Sequence, residues 1–101
     1  MKFLLLFEDF SDNQFININD INIEKEIVLV DTSNPHLIIK TSQEGKMPLD
    51  KLRVETMAEL LKKGKNLPPV ILYKNNSLKD GHHRYAAYKL AGIEEIPFEY
   101  I

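Results

Sequence analysis

The sequence predicts an α+β fold, a single small domain with a mixed β-sheet and two main helices. Three observations carry this. Residues 50–63, DKLRVETMAELLKK, place Val54, Met57, Ala58 and Leu61 at i, i+3, i+4 and i+7, which is one face of a helix. Short runs rich in β-branched residues, at 27–30, 70–73 and 94–101, are separated by turn signals. A chain of 101 residues at 44% hydrophobic content supports one modest core. Strands, helix, hairpin, helix and strand in that order belong to the α+β class.

Phe3–Phe7 is an apolar run of strand length. Residues 8–26 are polar and Asn-rich. Within them Ile16, Ile18 and Ile21 alternate imperfectly with polar neighbours, and a strand is expected there. Ile27–Val30 is a clearer strand, DTSNP a turn, Leu37–Lys40 a short extended piece and TSQEGK a loop. Asp50 can cap the first main helix. Lys62, Lys63 and Gly64 supply its stop signals. LPPV cannot be helical and leads into a strand at Val70–Tyr73. KNNS is a hairpin turn, Leu78–Lys79 the returning strand, and His82–Ala91 the second helix. Gly92 stands where a left-handed residue ends that helix. EEIPFEYI is the last strand.

Composition excludes several classes. The net charge is −2, so the basic excess of a protein that lives on a nucleic-acid backbone is missing. With no cysteine, there are no disulfides, zinc-thiolate sites or thiol nucleophiles. The five apolar residues before Glu8 are too few for a signal-peptide apolar region, and no run reaches membrane-span length. A cytoplasmic protein is expected. Abundant Asn, Ile and Lys fit AT-rich coding DNA, as in a phage or mobile element.

Asp80-Gly81-His82-His83-Arg84 gathers two of the three histidines, an acid and an arginine between a strand and a helix. Asp80 can accept N–H groups at the helix start. Gly81 permits a sharp turn and close approach. Free N–H groups and the positive end of the helix dipole favour an anion there. Arg84 adds a planar donor fork suited to phosphate. His82 and His83 can donate to the same oxygens, or one can act as a general acid. Adjacent histidines on one helix are not a chelating pair, so no metal-ligating set is expected. His36 is a loop histidine. Tyr85 and Tyr88 can stack a base, but core packing is the more ordinary role at that spacing.

The stretch LPPVILYKNNSLKDGHHRYAAYKLAGIEEIPFEYI, preceded by MPLDKLRVETMAELLKKGKNLPP, resembles the ParB/sulfiredoxin superfamily. The features shared are a proline-led strand, a hairpin, a Gly-x-x-Arg turn, a Tyr- and Ala-rich helix, then Gly, Ile-Pro and a final strand. The likeness is close over 46–101 and loose over 27–45. It implies a ParB/sulfiredoxin-like domain at 27–101, with 1–26 as a family-unmatched N-terminal strand or extension.

In sulfiredoxins the matching turn carries the reactive cysteine. Here that position is His82, so sulfiredoxin activity is excluded. That family's next His and Arg contact nucleotide phosphates and match His83 and Arg84. The basic residue and hydroxyl of its first helix match Arg53 and Thr56, which lie three apart on one helix face. A further hydroxyl is replaced by Leu60. Chromosome-partitioning ParB proteins have a Gly-Glu-Arg-Arg turn and a separate DNA-reading domain. This chain ends at Ile101 after the last strand, and a partition role is not expected. The free-serine kinases share Asp-Gly-His-His-Arg. That implies Mg²⁺ with ATP, ADP or CTP and phosphoryl transfer to a small hydroxylated acceptor, for which positioning and charge neutralisation matter most. Those kinases use an acid upstream of the first helix as base, and Glu44 and Asp50 are the nearest here. The implied catalytic residues are Asp80, His82 and His83. Gly81, His82, His83, Arg84, Arg53 and Thr56 are the implied phosphate- and nucleotide-binding residues. The function expected first is a small nucleotide-dependent phosphotransferase or nucleotide hydrolase. A ParB-like DNA nuclease, or a non-catalytic nucleotide-sensing or protein-interaction module, is the alternative, with DNA the less favoured partner.

Overall fold

The computed structural model describes residues 14–101. The run expected as a strand at Phe3–Phe7 lies outside them. The elements are β1 (Gln14–Asn17), a 3-10 turn (Ile18–Asp20), β2 (Ile27–Val30), α1 (Pro35–Gln43), β3 (Met47–Asp50) and α2 (Lys51–Lys62). They continue with β4 (Val70–Leu72), β5 (Leu78–Asp80), α3 (His82–Leu90) and β6 (Glu95–Tyr100).

Four strands form a mixed sheet in the order β1-β6-β4-β5. β1 runs antiparallel to β6, β6 parallel to β4, and β4 antiparallel to β5. Register aligns Ile16 with Ile96, Val70 with Phe98, and Leu72 with Leu78. One sheet face therefore presents Ile96, Phe98, Val70, Leu72 and Leu78, all buried. Against it pack Val54, Ala58 and Leu61 of α2 and Tyr85, Ala87 and Tyr88 of α3. The expected α2 stripe is the buried face, with Met57 at its edge. The segment before β2 joins the same core through Ile18 and Ile21, while Phe15 on β1 stays 56% exposed.

Two local expectations change. Residues 37–43, expected as an extended piece running into a loop, form most of α1. Asn34 accepts the His36 N–H on its side chain at 3.1 Å and Pro35 opens the first turn, so the Asn-Pro pair begins a helix rather than closing a turn. Asp31 completes the lead-in by accepting the Ser33 N–H and hydroxyl, which hold its carboxyl below the ordinary value. His36 accordingly lies in that first helical turn, exposed to solvent. The second change is β3. MPLD pairs in parallel with β2, Ile27 opposite Met47 and Leu29 opposite Leu49, to make a separate two-stranded sheet. No helix among the described residues is long and apolar enough to cross a membrane.

Candidate phosphate-binding site

The N-terminus of α3 is built by Gly81. Its backbone is left-handed, at φ 93° and ψ 31°, and it occupies the N-cap position. Tyr85 N–H donates to the Gly81 carbonyl at 2.8 Å and closes the first turn. The N–H groups of His82, His83 and Arg84 have no acceptor within the helix, and no side chain caps it. Asp80 sits one residue earlier than a cap. Its Oδ1 accepts the Gly81 N–H at 2.9 Å, which leaves the first-turn donors open.

Arg84 folds back over this turn. Its Nη1 donates to the Pro69 carbonyl at 2.6 Å, and its Nη2 lies 3.8 Å from Asp80 Oδ2. A β-carbon at Gly81 would meet the Arg84 Cζ and Nε at 3.3 Å and Val70 Cγ1 at 3.2 Å. Glycine thus suits the backbone angle, and a side chain here would crowd the seated guanidinium. The Arg84 side chain is 20% exposed and that of Asp80 is 71% exposed. The pair is anchored at one end and open to solvent at the other.

A cavity of about 200 Å³ opens beside this turn. Its apolar floor is Met47 and Leu49 of β3 with Met57 of α2. Arg53 of α2 and the run from Asp80 to Arg84 form the rest of its wall. Of the predicted site residues, Arg53, Asp80, Gly81, His82, His83 and Arg84 come together here. Thr56 does not line the cavity. Its hydroxyl turns back to donate to the Leu52 carbonyl at 2.8 Å. Among the described residues, Asp80 is the one carboxylate lining the cavity. Glu44 is the C-cap of α1 and does not line the cavity, whereas Asp50 caps α2 and is near enough for its charge to act on His83. The sequence gives no pointer to this apolar floor, because its place depends on β3 pairing with β2 and packing beside α2 and α3.

Both histidines line the cavity although neighbours on a helix point about 100° apart. Burial holds His82 below its ordinary pKa, with Asp80 and Glu24 pulling against the shift. Burial also lowers His83. Arg53 and His82 add to that shift and Asp50 opposes it. Burial therefore favours the neutral form of both rings, and a bound anion would favour the protonated form. Tyr85 and Tyr88 are buried in the core, and burial pushes the Tyr88 hydroxyl up despite Arg84 nearby. No group of three His, Asp or Glu side chains among the described residues is arranged to hold a metal ion.

Among solved structures the chain superposes on sulfiredoxin from Arabidopsis thaliana with a TM-score of 0.56, over 87% of this chain and 84% of that one. The fold is sulfiredoxin-like. Sequence identity over the match is 13%, so backbone architecture is what the two share. A conserved hypothetical protein from Pyrococcus furiosus matches 88% of this chain with a TM-score of 0.54 and 18% identity, over 32% of its own length. No protein-family profile and no curated protein sequence matches the chain. The sulfiredoxin-like architecture is the one expected from the Asp-Gly-His-His-Arg context.

Proposed function

We propose that this chain binds a nucleotide through its phosphates at the α3 N-terminus and acts as a small nucleotide-dependent phosphotransferase or nucleotide hydrolase. The observation that carries the reading is convergence. Arg53, Arg84, His82 and His83 line one cavity beside the uncapped N-terminus of α3, and Asp80, mostly exposed, is the one carboxylate among its described lining residues. A phosphate there meets backbone donors, a helix dipole and guanidinium groups together. The described chain has no cysteine at the turn, so the thiol chemistry open to a sulfiredoxin is not open here.

The roles follow from the chemistry of each group. The N–H groups of residues 82–84 would hold phosphate oxygens, and Arg53 would close on them from α2. His82 or His83, on taking a proton, would donate to a phosphate oxygen or to a leaving group. Asp80 would orient the acceptor hydroxyl or contribute one oxygen to a Mg²⁺ ion. Mg²⁺ fits a site of this kind, since it is commonly held by one or two carboxylates and the substrate's own phosphates. When bound it would neutralise charge on the phosphates. A nuclease relying on two metal-bridging carboxylates has less support, because Asp80 stands alone among the described lining residues.

The test is calorimetric titration of ATP, ADP and CTP with Mg²⁺ on the wild type, Arg53→Ala and Arg84→Ala. Loss of a charged hydrogen bond of roughly 1.5–3 kcal/mol would weaken binding by about ten- to a hundredfold. Phosphoryl transfer is then followed as ADP formation dependent on a small hydroxylated acceptor. No heat with any nucleotide would sink the reading.

A further inference from the structure

We propose that Met47 and Met57, on the floor of the phosphate cavity, form an oxidation site at which conversion of their thioethers to sulfoxides by peroxide weakens phosphate binding. The step rests on the phosphate-binding reading above and names a regulation of that same site. The chain has three methionines, no cysteine and no tryptophan, so its readily oxidised side chains are few. Met1 lies outside the described residues. The other two come from different elements, Met47 from β3 and Met57 from α2, and both line one cavity of about 200 Å³.

Access comes first. Both side chains are half-buried, packed against the core and lining the cavity. A fully buried thioether is shielded from a dissolved oxidant, whereas these two meet solvent through the cavity. Hydrogen peroxide is smaller than the phosphate that the cavity suits. The step balances with no further reactant. A sulfur lone pair attacks one peroxide oxygen, the S–O bond forms and the O–O bond breaks. The proton of the attacked oxygen passes to the departing one, which leaves as water. Sulfur is oxidised and peroxide is reduced. Negative charge develops on the departing oxygen, and the cavity wall carries Arg53 and the uncapped first turn of α3. Donors placed for a phosphate would stabilise that charge as well.

The consequence follows from what stands beside each sulfur. Arg53 and Met57 are four residues apart on α2, so they are neighbours on one helix face. A sulfoxide oxygen on Met57 is an acceptor for the guanidinium and would take a donor that a phosphate needs. Met47 lies two residues from Leu49 on β3, on the same strand face. A sulfoxide there puts a second polar atom into the apolar floor. A polar floor raises the local dielectric and weakens the attraction between the arginines and an anion. Each added oxygen also takes space from a cavity of about 200 Å³. All three effects lower the affinity for phosphate, and reduction of the sulfoxides reverses them.

The experiment treats the full chain with hydrogen peroxide and maps added oxygen by peptide mass spectrometry. Binding of Mg²⁺-ATP and of tripolyphosphate is measured by calorimetry before and after. The wild type, the double variant Met47→Leu with Met57→Leu, and Met57→Gln, a polar stand-in for the sulfoxide, are compared. The wild type should gain one oxygen on each of the two peptides and lose about tenfold or more in affinity for both ligands. Methionine sulfoxide reductases supplied with a dithiol should restore it. The double variant should bind equally before and after peroxide, and untreated Met57→Gln should bind more weakly than the wild type. Circular dichroism checks that the oxidised chain stays folded, and Met57→Gln carries the test if it does not. Methionines that stay unoxidised in the folded chain but react in the urea-unfolded chain overturn the oxidation site. So does unchanged affinity once both are oxidised, a loss that persists in the double variant, or wild-type affinity in Met57→Gln. Each of these leaves the phosphate site standing. Binding of neither ATP nor tripolyphosphate by the untreated wild type removes the phosphate-binding reading itself, and this inference with it.

Discussion

Gly81, His82, His83 and Arg84 divide the work of the turn by side-chain chemistry. Gly81 holds a positive φ that an L side chain adopts only with strain, and a β-carbon there would sit 3.3 Å from the Arg84 guanidinium. Gly81→Ala should therefore destabilise the fold by about 1–2 kcal/mol from the backbone alone, with crowding against Val70 adding to it. A lower urea midpoint at unchanged slope would show this. The histidines make a second prediction. Their folded pKa values lie below the unfolded value near 6.5. As pH falls from about 6.5 toward the folded values, the unfolded chain takes protons first, so stability declines across that window and levels off below it. NMR titration should place both rings below 6.5, and inorganic phosphate should raise both.

Two helices depend on a single oxygen at their first turn. Asn34 caps α1 and Asp50 caps α2, accepting N–H groups at 3.1 Å each. Alanine at either position should cost about 1 kcal/mol, measured by chemical denaturation. Asp50→Ala should do more. Its carboxylate opposes the lowering of the His83 pKa, so its removal should push that ring further down in an NMR titration. Asn34→Ala should leave His83 unmoved. α2, β4, β5, α3 and β6 were legible because each has its own signal: heptad-like spacing, Pro-Pro, the Asn-Asn turn, Gly81 and Gly92. α1 is hidden in the sequence because Asn-Pro reads equally well as a turn. β3 is hidden because four residues, one of them proline, are too short a run for a period of two to stand out.

The whole molecule is held by a core in which Leu72 and Ile96, on adjacent strands of the mixed sheet, are completely buried. Leu72→Ala should cost about 2–5 kcal/mol, a large part of the roughly 5–15 kcal/mol expected for a domain. The loss should appear as a lower Tm in calorimetry. The same core holds Val70 against Gly81 and Tyr85 beneath the start of α3, so such a change should also loosen the phosphate cavity.

By itself the sequence determined the fold class, most elements and the turn at 80–84, because local spacing, proline and glycine geometry act within a few residues. It also brought Arg53 to attention, through a resemblance and a helix period. Only the tertiary structure decided that Met47 and Leu49 floor the cavity and that Arg84 is tied to Pro69. The physical reason is distance along the chain. A side chain's partners fifteen or more residues away depend on strand pairing and helix packing, which no short window of residues encodes.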